Sequence, residues 1–339
     1  MDFDTASADA RRGDEVSLIG ESPAFLEVLE QVSRVAPLNR PVLVIGERGT
    51  GKELVAARIH FLSARWDQAF VKLNCAALAE SILESELFGH EAGSFTGATR
   101  QRKGRFELAD EGTLFLDELA STSGNVQEKV LRVIEYGEFD RVGGSKPVRV
   151  DTRIIGATNE DLPQLADEGR FRADLLDRLA FDVITLPPLR HRPEDILPLA
   201  EHFARRMAAE MSLELFPGFD RAARSKLQEY PWPGNVRELK NVVERAVYRV
   251  GQSDDPISEI QFDPFDSPFR PGQPEAAPRE SAVPSGPLDM KETVKEFEIQ
   301  LLRDAMEQCK FNQRKAAEYL GLTYHQLRGY LRKYELLEQ

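Results

Sequence analysis

Short apolar runs alternate with amphipathic stretches over the first two thirds of the chain. Runs suited to strands fall at Val42–Ile45, Ala69–Leu73, Thr113–Leu116, Arg153–Ala157 and Asp182–Leu186, with helical stretches between them. This alternation predicts a mostly parallel sheet covered by helices. From about Pro187 the strand pattern stops and the sequence reads as helical through Tyr248. The pattern therefore predicts an α/β subdomain at 17–186 and a helical lid subdomain at 187–251. Residues 252–289 carry eight prolines and eight acidic residues against two arginines, which predicts an extended, flexible linker. Phe262, Phe265 and Phe269 are unusual in such a segment. They predict docking on the preceding domain, with partner recognition as the alternative. A last helical unit is expected at 290–339, and the polar, acidic residues 1–16 are expected to form a disordered tail.

Composition narrows the class. A chain of 339 residues implies two or three domains, and 41% apolar residues suffice for a real core. No run approaches the ~20 apolar residues of a membrane span. The first residues contain no apolar signal core, and Cys75 and Cys309 lie far apart without metal-like spacing, so both read as reduced thiols of a cytosolic protein. The net charge of −13 argues against an overall nucleic-acid surface. One region departs from that average. Between Lys310 and Tyr334 there are six Lys or Arg residues and a single acidic one, Glu318.

The densest chemical signal is Gly46-Glu47-Arg48-Gly49-Thr50-Gly51-Lys52-Glu53, set between an apolar strand and a helix-like segment. That arrangement is a phosphate-binding loop. Glycines let backbone N–H groups approach a polyphosphate, the following helix presents its positive end, and Lys52 adds a mobile charge. Glu53 stands where a Ser or Thr hydroxyl would normally meet Mg²⁺. The apolar strand Thr113–Leu116 ends in Asp117-Glu118. In P-loop ATPases the first carboxylate holds Mg²⁺ and the second polarises water for attack on the γ-phosphate. Asp117 also offers compensation for the hydroxyl missing at position 53. Asn159, after the strand Arg153–Ala157, is placed either to orient that water or sense the γ-phosphate, or in an ordinary turn. Arg172 and Arg178 lie six positions apart. They are either solvated surface groups or arginines reaching a neighbour's nucleotide.

The stretch Glu86-Leu87-Phe88-Gly89-His90-Glu91-Ala92-Gly93-Ser94-Phe95-Thr96-Gly97-Ala98 carries two hinge-like glycines around Phe95 and Thr96, which suits an exposed tip for a partner. Its last six residues resemble the GAFTGA loop of the bacterial sigma-54-dependent activators, with Ser94 replacing alanine. The resemblance covers about residues 17–250 and the C-terminus. It implies an α/β AAA+ P-loop ATPase fold with a parallel sheet and a helical lid, plus a small all-α helix-turn-helix domain. It further implies that Gly93, Ser94, Phe95, Thr96, Gly97 and Ala98 contact sigma-54, and that Asn74 pairs with Glu118. Arg172 and Arg178 are implied as trans-acting arginine fingers, and Arg237, in Pro231-Trp232-Pro233-Gly234-Asn235-Val236-Arg237-Glu238-Leu239, as a nucleotide sensor. Glu53 after the lysine is itself the usual residue in that family. The implied cofactors are ATP and Mg²⁺. The implied partners are the sigma-54 RNA polymerase holoenzyme, double-stranded enhancer DNA, and further copies of the chain in a ring, expected as a hexamer.

Near the C-terminus, Asn312 to Lys333 reads as helix, glycine turn, helix, with Ala316 and Ala317 for close packing, Gly321 at the turn and Thr323 as cap. It resembles a Fis-type helix-turn-helix. His325, Gln326, Arg328 and Gly329 fall toward the exposed face of the second helix, where base edges are read, while Arg314, Arg332 and Lys333 suit phosphates. The preceding helix, with Val294, Phe297, Leu301 and Leu302, is expected to pair two such domains. Only about 16 residues precede the ATPase region, where most of the family carries a regulatory domain. The expectation is an activator active by default and restrained in trans, as in the phage-shock branch of the family with its PspA-like inhibitors. Trp66, in a polar connector, is either the exposed contact for such an inhibitor or a buried packing residue. Two rival functions remain open at this level: a DNA-binding repressor with a vestigial nucleotide site, and an AAA+ motor acting on another client.

Overall fold

Five parallel strands form the central sheet: β1 Val42–Ile45, β2 Phe70–Asn74, β3 Thr113–Asp117, β6 Arg153–Thr158 and β7 Val183–Thr185, in the order β2-β3-β6-β1-β7. A short antiparallel hairpin, β4 Glu138–Asp140 with β5 Pro147–Arg149, stands apart from it and was not foreseen in the sequence. The computed structural model describes residues 18–95, 98–213, 215–251, 253, 255–266, 270, 290–309 and 312–334. The tail at 1–16, Thr96, Gly97, Phe269 and most of the linker lie outside these residues.

The strand sequences face two cores at once because successive side chains alternate across a sheet. Leu43, Leu114, Leu116 and Ile154 enter the core built with Leu87, Val126, Val130, Leu175 and Leu179. Val42, Val44, Phe115 and Ile155 enter the opposite core with Val28, Val32, Val55 and Ile59. Helices cover each face: α1 Pro23–Val35 and α2 Lys52–Phe61 on the second side, and α3 Glu80–Phe88, α5 Gly124–Tyr136 and α7 Ala173–Leu179 on the first. Two short helices, α4 Arg105–Leu108 and α6 Leu162–Asp167, complete this part.

Three helices, α8 Ile196–Glu210, α9 Arg221–Glu229 and α10 Asn235–Val250, make the lid around Trp232, whose indole N–H donates to the Leu227 carbonyl at 2.8 Å. The lid does not end where the sequence pattern placed the linker. Ile257 forms a bridge with Phe219, and Ile257 and Ile260 are buried in the lid core. Phe262 stacks on Tyr230, with centroids 4.1 Å apart and planes 5° from parallel, and meets Trp232 edge-on. The segment from about 255 to 262 is therefore a strap on the lid, because its apolar side chains find a preformed surface despite their Pro- and Asp-rich setting. Phe262 docks as anticipated, whereas Phe265 stays largely exposed, with the Arg270 guanidinium over its ring.

The chain divides into two units between Pro264 and Phe265. In the second, α11 Met290–Gln308, α12 Gln313–Tyr319 and α13 Tyr324–Lys333 close a small core of Leu302, Ala305, Ala316, Ala317, Leu327 and Leu331. Gly321 turns the chain at φ 66°. Thr323 caps α13 in a reciprocal bond pair with Gln326. No described helix is long and apolar enough to cross a membrane.

Candidate functional site

The phosphate loop leaves β1 beside β6 and enters α2 through Gly51, whose φ of 102° is open to glycine but strained for any L side chain. A cleft of about 530 Å³ opens over this loop, lined by Arg48, Gly49, Thr50, Gly51, Lys52 and Glu53, by Asp117 and Glu118, and by Val236, Arg237 and Lys240 of the lid. Leu18, Ile19, Phe25, Leu199 and Phe203 give it an apolar end suited to a base. Lys52 donates through Nζ to the Gly46 carbonyl at 2.8 Å and lies 3.3 Å from that of Glu47. Burial pulls its pKa down, opposed by the nearby Glu118 and Asp117 carboxylates. Gly49 meets the lid so closely that a Cβ there would lie 2.3 Å from the Gly234 carbonyl oxygen, and the Arg237 N–H donates to the Gly49 carbonyl at 3.3 Å. The first turn of α10 thus rests directly on the phosphate loop.

Several expected residues sit in this cleft, but not all face it with their side chains. The Glu47 carboxylate turns to the lid and accepts from Arg190 at 2.6 and 2.9 Å and from Asn235 at 3.0 Å. Glu53 pairs with Lys72 on β2 at 3.0 Å. Thr50 directs its hydroxyl to the Glu47 carbonyl at 2.8 Å. Gly46 and Gly51 contribute backbone alone. Asn235 is a further residue of the site that the sequence pattern did not single out: it is fully buried at φ 52° and bridges Leu189, Glu47 and Arg48. A polar residue needing an unusual backbone, just after Pro-Gly, was the signal available for it.

Asp117 ends β3 and accepts from the Glu118 N–H at 3.0 Å and from Asn74 Nδ2 at 3.2 Å. The pairing expected of Asn74 with Glu118 is not present: Asn74 bonds to Asp117. The parallel register sets Asn74 opposite Asp117, while Glu118 leaves the strand at φ 53° and lies 3.9 Å from Arg48. Each Asp117 oxygen keeps acceptor capacity after these bonds, and the hard oxygen set fits Mg²⁺. Among the described residues no group of three or more His, Cys, Asp or Glu side chains gathers to hold a metal. A cation at Asp117 would therefore draw most of its ligands from phosphate and water, as Mg²⁺ commonly does.

Asn159 is exposed one residue past β6, the strand lying between β1 and β3. That places it at the same sheet edge as the phosphate loop and Asp117. Arg172 and Arg178 do not line this cleft. Arg172 is held by Asp174 at 2.7 and 3.0 Å, and Arg178 by Glu135 at 2.9 Å. Both are on the surface, Arg178 beside a second cleft with Glu135, Asp177 and Phe181.

The loop after α3 is pinned at its base. Gly93, at φ 82°, donates to the Ala98 carbonyl at 2.7 Å, and Ala98 donates to that of Phe95 at 3.0 Å. Ala98 is buried and Phe95 is 48% exposed, edge-on to His90. Ser94 packs against Gly143, where a Cβ would approach to 2.5 Å. Arg141, on the hairpin, braces the loop base through Glu91 at 2.9 Å and Glu107 at 2.6 Å. Burial alone would raise the Glu107 pKa, but bonds from Arg141 and the Gly104 N–H outweigh it and hold it down. Trp66 is exposed in its connector and not buried against its own domain.

In the C-terminal unit, Arg314, His325, Gln326, Arg328, Gly329, Arg332 and Lys333 are all exposed. Two are already engaged: Gln326 Oε1 accepts from the Thr323 N–H at 3.0 Å, and Lys333 Nζ donates to the Tyr334 hydroxyl at 2.6 Å. Gln326 thus serves Thr323 in the cap.

Comparison with known proteins agrees with this geometry. Residues 18–185 match the sigma-54 interaction domain, 190–281 an AAA+ ATPase lid domain, and 293–334 the bacterial regulatory protein, Fis family. The class is that of an AAA+ ATPase carrying a DNA-binding helix-turn-helix. The chain belongs to the sigma-54-dependent transcriptional activators. It is 59% identical over 321 residues to the Psp operon transcriptional activator of Escherichia coli, covering 94% of this chain and 98% of that one. It is 46% identical to the Nif-specific regulatory protein of Azotobacter vinelandii, covering 93% of this chain and 58% of that one. Among solved structures, NtrX from Brucella abortus in complex with ATP superposes with a TM-score of 0.69 at 34% identity, over 96% of this chain and 72% of that one.

Proposed function

We propose that this activator switches on phage-shock stress genes from an upstream enhancer, working in the cytoplasm as a ring, a hexamer of ATPase domains. The observation that carries the motor reading is the exposed Phe95 on a loop closed by the Gly93–Ala98 bond and braced by Arg141. A phenylalanine presented in this way is a contact for a partner. The segment Gly93 to Ala98 is proposed to press on sigma-54 and convert the closed promoter complex to the open one.

In the nucleotide cleft, backbone N–H groups of the loop and Lys52 bind the phosphates, and Arg237 contacts them from the lid. Mg²⁺ at Asp117 would screen the phosphate charge, and Glu118 takes a proton from the attacking water. Asn159 orients that water. Arg172 and Arg178, which line no part of their own cleft, reach a neighbouring copy's nucleotide. In the C-terminal unit His325 and Arg328 read base edges, and Arg314, Arg332 and Lys333 meet phosphates. The stripe Val294, Phe297 and Leu301, exposed on α11, pairs two such units. The 62% exposed Trp66 is the anchor for a PspA-like inhibitor.

The experiment is promoter opening on enhancer-bearing DNA, with holoenzyme containing sigma-54 or the housekeeping sigma, and with ATP or a non-hydrolysable analogue. Opening is expected only with sigma-54 and hydrolysable ATP; no ATP-dependent opening overturns the proposal. Thr96→Ala is expected to hydrolyse ATP and fail to activate, and retained activation removes the loop from the contact. Trp66→Ala is expected to keep ATPase activity while escaping inhibition.

A further inference from the structure

One charged pair, Arg192 on the cleft wall and Asp195 behind it, has no part in the roles assigned above. Arg192, at the start of the lid, has a side chain only 2% exposed, and Asp195 is fully buried. Arg192 Nη2 donates to the Thr50 carbonyl of the phosphate loop at 3.2 Å. Its guanidinium carbon lies 4.9 Å from the centroid of Phe25, at the apolar end of the cleft. Its Nη1 lies 4.0 Å from the Asp195 carboxylate. Asp195 in turn accepts from the N–H groups of Glu21 at 2.6 Å and Ser22 at 2.8 Å, and from the Ser22 hydroxyl at 2.8 Å. Three walls of the cleft therefore meet at one buried pair: the segment that begins at Leu18, the phosphate loop, and the lid.

The pair is a poor device for stability alone. At 4.0 Å it is at the outer limit of an ion pair, and Arg192 Nε has no protein acceptor. Well-packed apolar side chains commonly stabilise a fold as much as a buried pair of this kind. A buried charge on the wall of a working cleft is better explained by what it holds in place.

We propose that Arg192 is a positioning residue for ATP hydrolysis: it fixes the phosphate loop, through Thr50, against the segment held by Asp195, and so sets the base end and the phosphate end of the nucleotide in register with Lys52 and Asp117. Misplacement of a reacting group by about 1 Å costs on the order of 100-fold in rate. Loss of this link is therefore read in turnover more than in binding.

The test uses the full chain with ATP as substrate, measuring kcat, KM, affinity for ADP and the melting temperature. Arg192→Met, which keeps an unbranched apolar stem but removes the guanidinium, is expected to lower kcat by about tenfold or more while KM and the ADP affinity move less than about threefold. Arg192→Lys, which keeps a cation able to reach the Thr50 carbonyl, is expected to restore most of the turnover. Wild-type kcat in Arg192→Met, an effect confined to KM, or equal loss in Arg192→Lys overturns the proposal. Should Arg192→Met fail to fold, Asp195→Asn decides. Its amide still accepts from the Glu21 and Ser22 N–H groups but no longer attracts the guanidinium. A fall in its kcat at unchanged KM supports the link, and unchanged kcat refutes it.

Discussion

Glu47 belongs to the phosphate loop by position and to the lid by contact. Bonds from Arg190, and next from Asn235, hold its carboxyl near pKa 2 against an ordinary 4.5. A carboxyl depressed in the folded state contributes stability above its unfolded pKa and loses it as pH falls toward the folded one. Glu47→Gln is thus expected to melt below the wild type at pH 7, with the gap closing between about pH 4.5 and 2. Thermal melts across that range check it, and a gap constant down to pH 3 excludes the pair as its source. Because the pair is partly exposed, the expected gap is small. The sequence made the backbone role of this loop legible, since glycine spacing between strand and helix leaves little choice. It did not reveal where Glu47 points, because the partner Asn235 lies 188 positions away. Asn74 shows the same limit: its partner, Asp117, follows from the pairing of β2 with β3, which no local pattern encodes.

At the scale of elements, the central strands β1, β3 and β6 were readable because each alternates between two apolar cores. The β4–β5 hairpin was not, since three-residue strands with a single apolar position each carry too little pattern. The strap after the lid was hidden for another reason: proline and acidic composition outweighed its few apolar anchors in the pattern. Phe262 marks the difference. Removing its ring from the stack on Tyr230 forfeits burial worth roughly 2 kcal/mol. Phe262→Ala is expected to lower unfolding free energy by about that amount in denaturant titration. Phe265→Ala, at a largely exposed ring, is expected to change it by less than about 0.5 kcal/mol. A Phe262→Ala effect as small as that expected of Phe265→Ala would mean the strap contributes nothing to the lid.

At the scale of the molecule, the question is where the motor ends. Its cleft depends on the lid, because Asn235 and the Arg237 N–H reach the phosphate loop from the first turn of α10. The lid depends on the strap, because Ile257, Ile260 and Phe262 complete the core around Trp232. A chain stopped after residue 266 keeps that sequence of supports intact; one stopped after 251 removes all three apolar anchors and leaves the same phosphate loop. The chain ending at 266 is expected to hydrolyse ATP with the melting temperature of the full chain's first unit and to lose enhancer binding with its helix-turn-helix. The chain ending at 251 is expected to melt earlier and to lose turnover, although every residue that faces phosphate is still present. ATPase assays and melts on the two proteins distinguish the cases. Equal turnover from both would place the end of the motor at α10 and reduce the strap to a passenger, since a lid that works without its last apolar anchors does not transmit their loss to the phosphate loop.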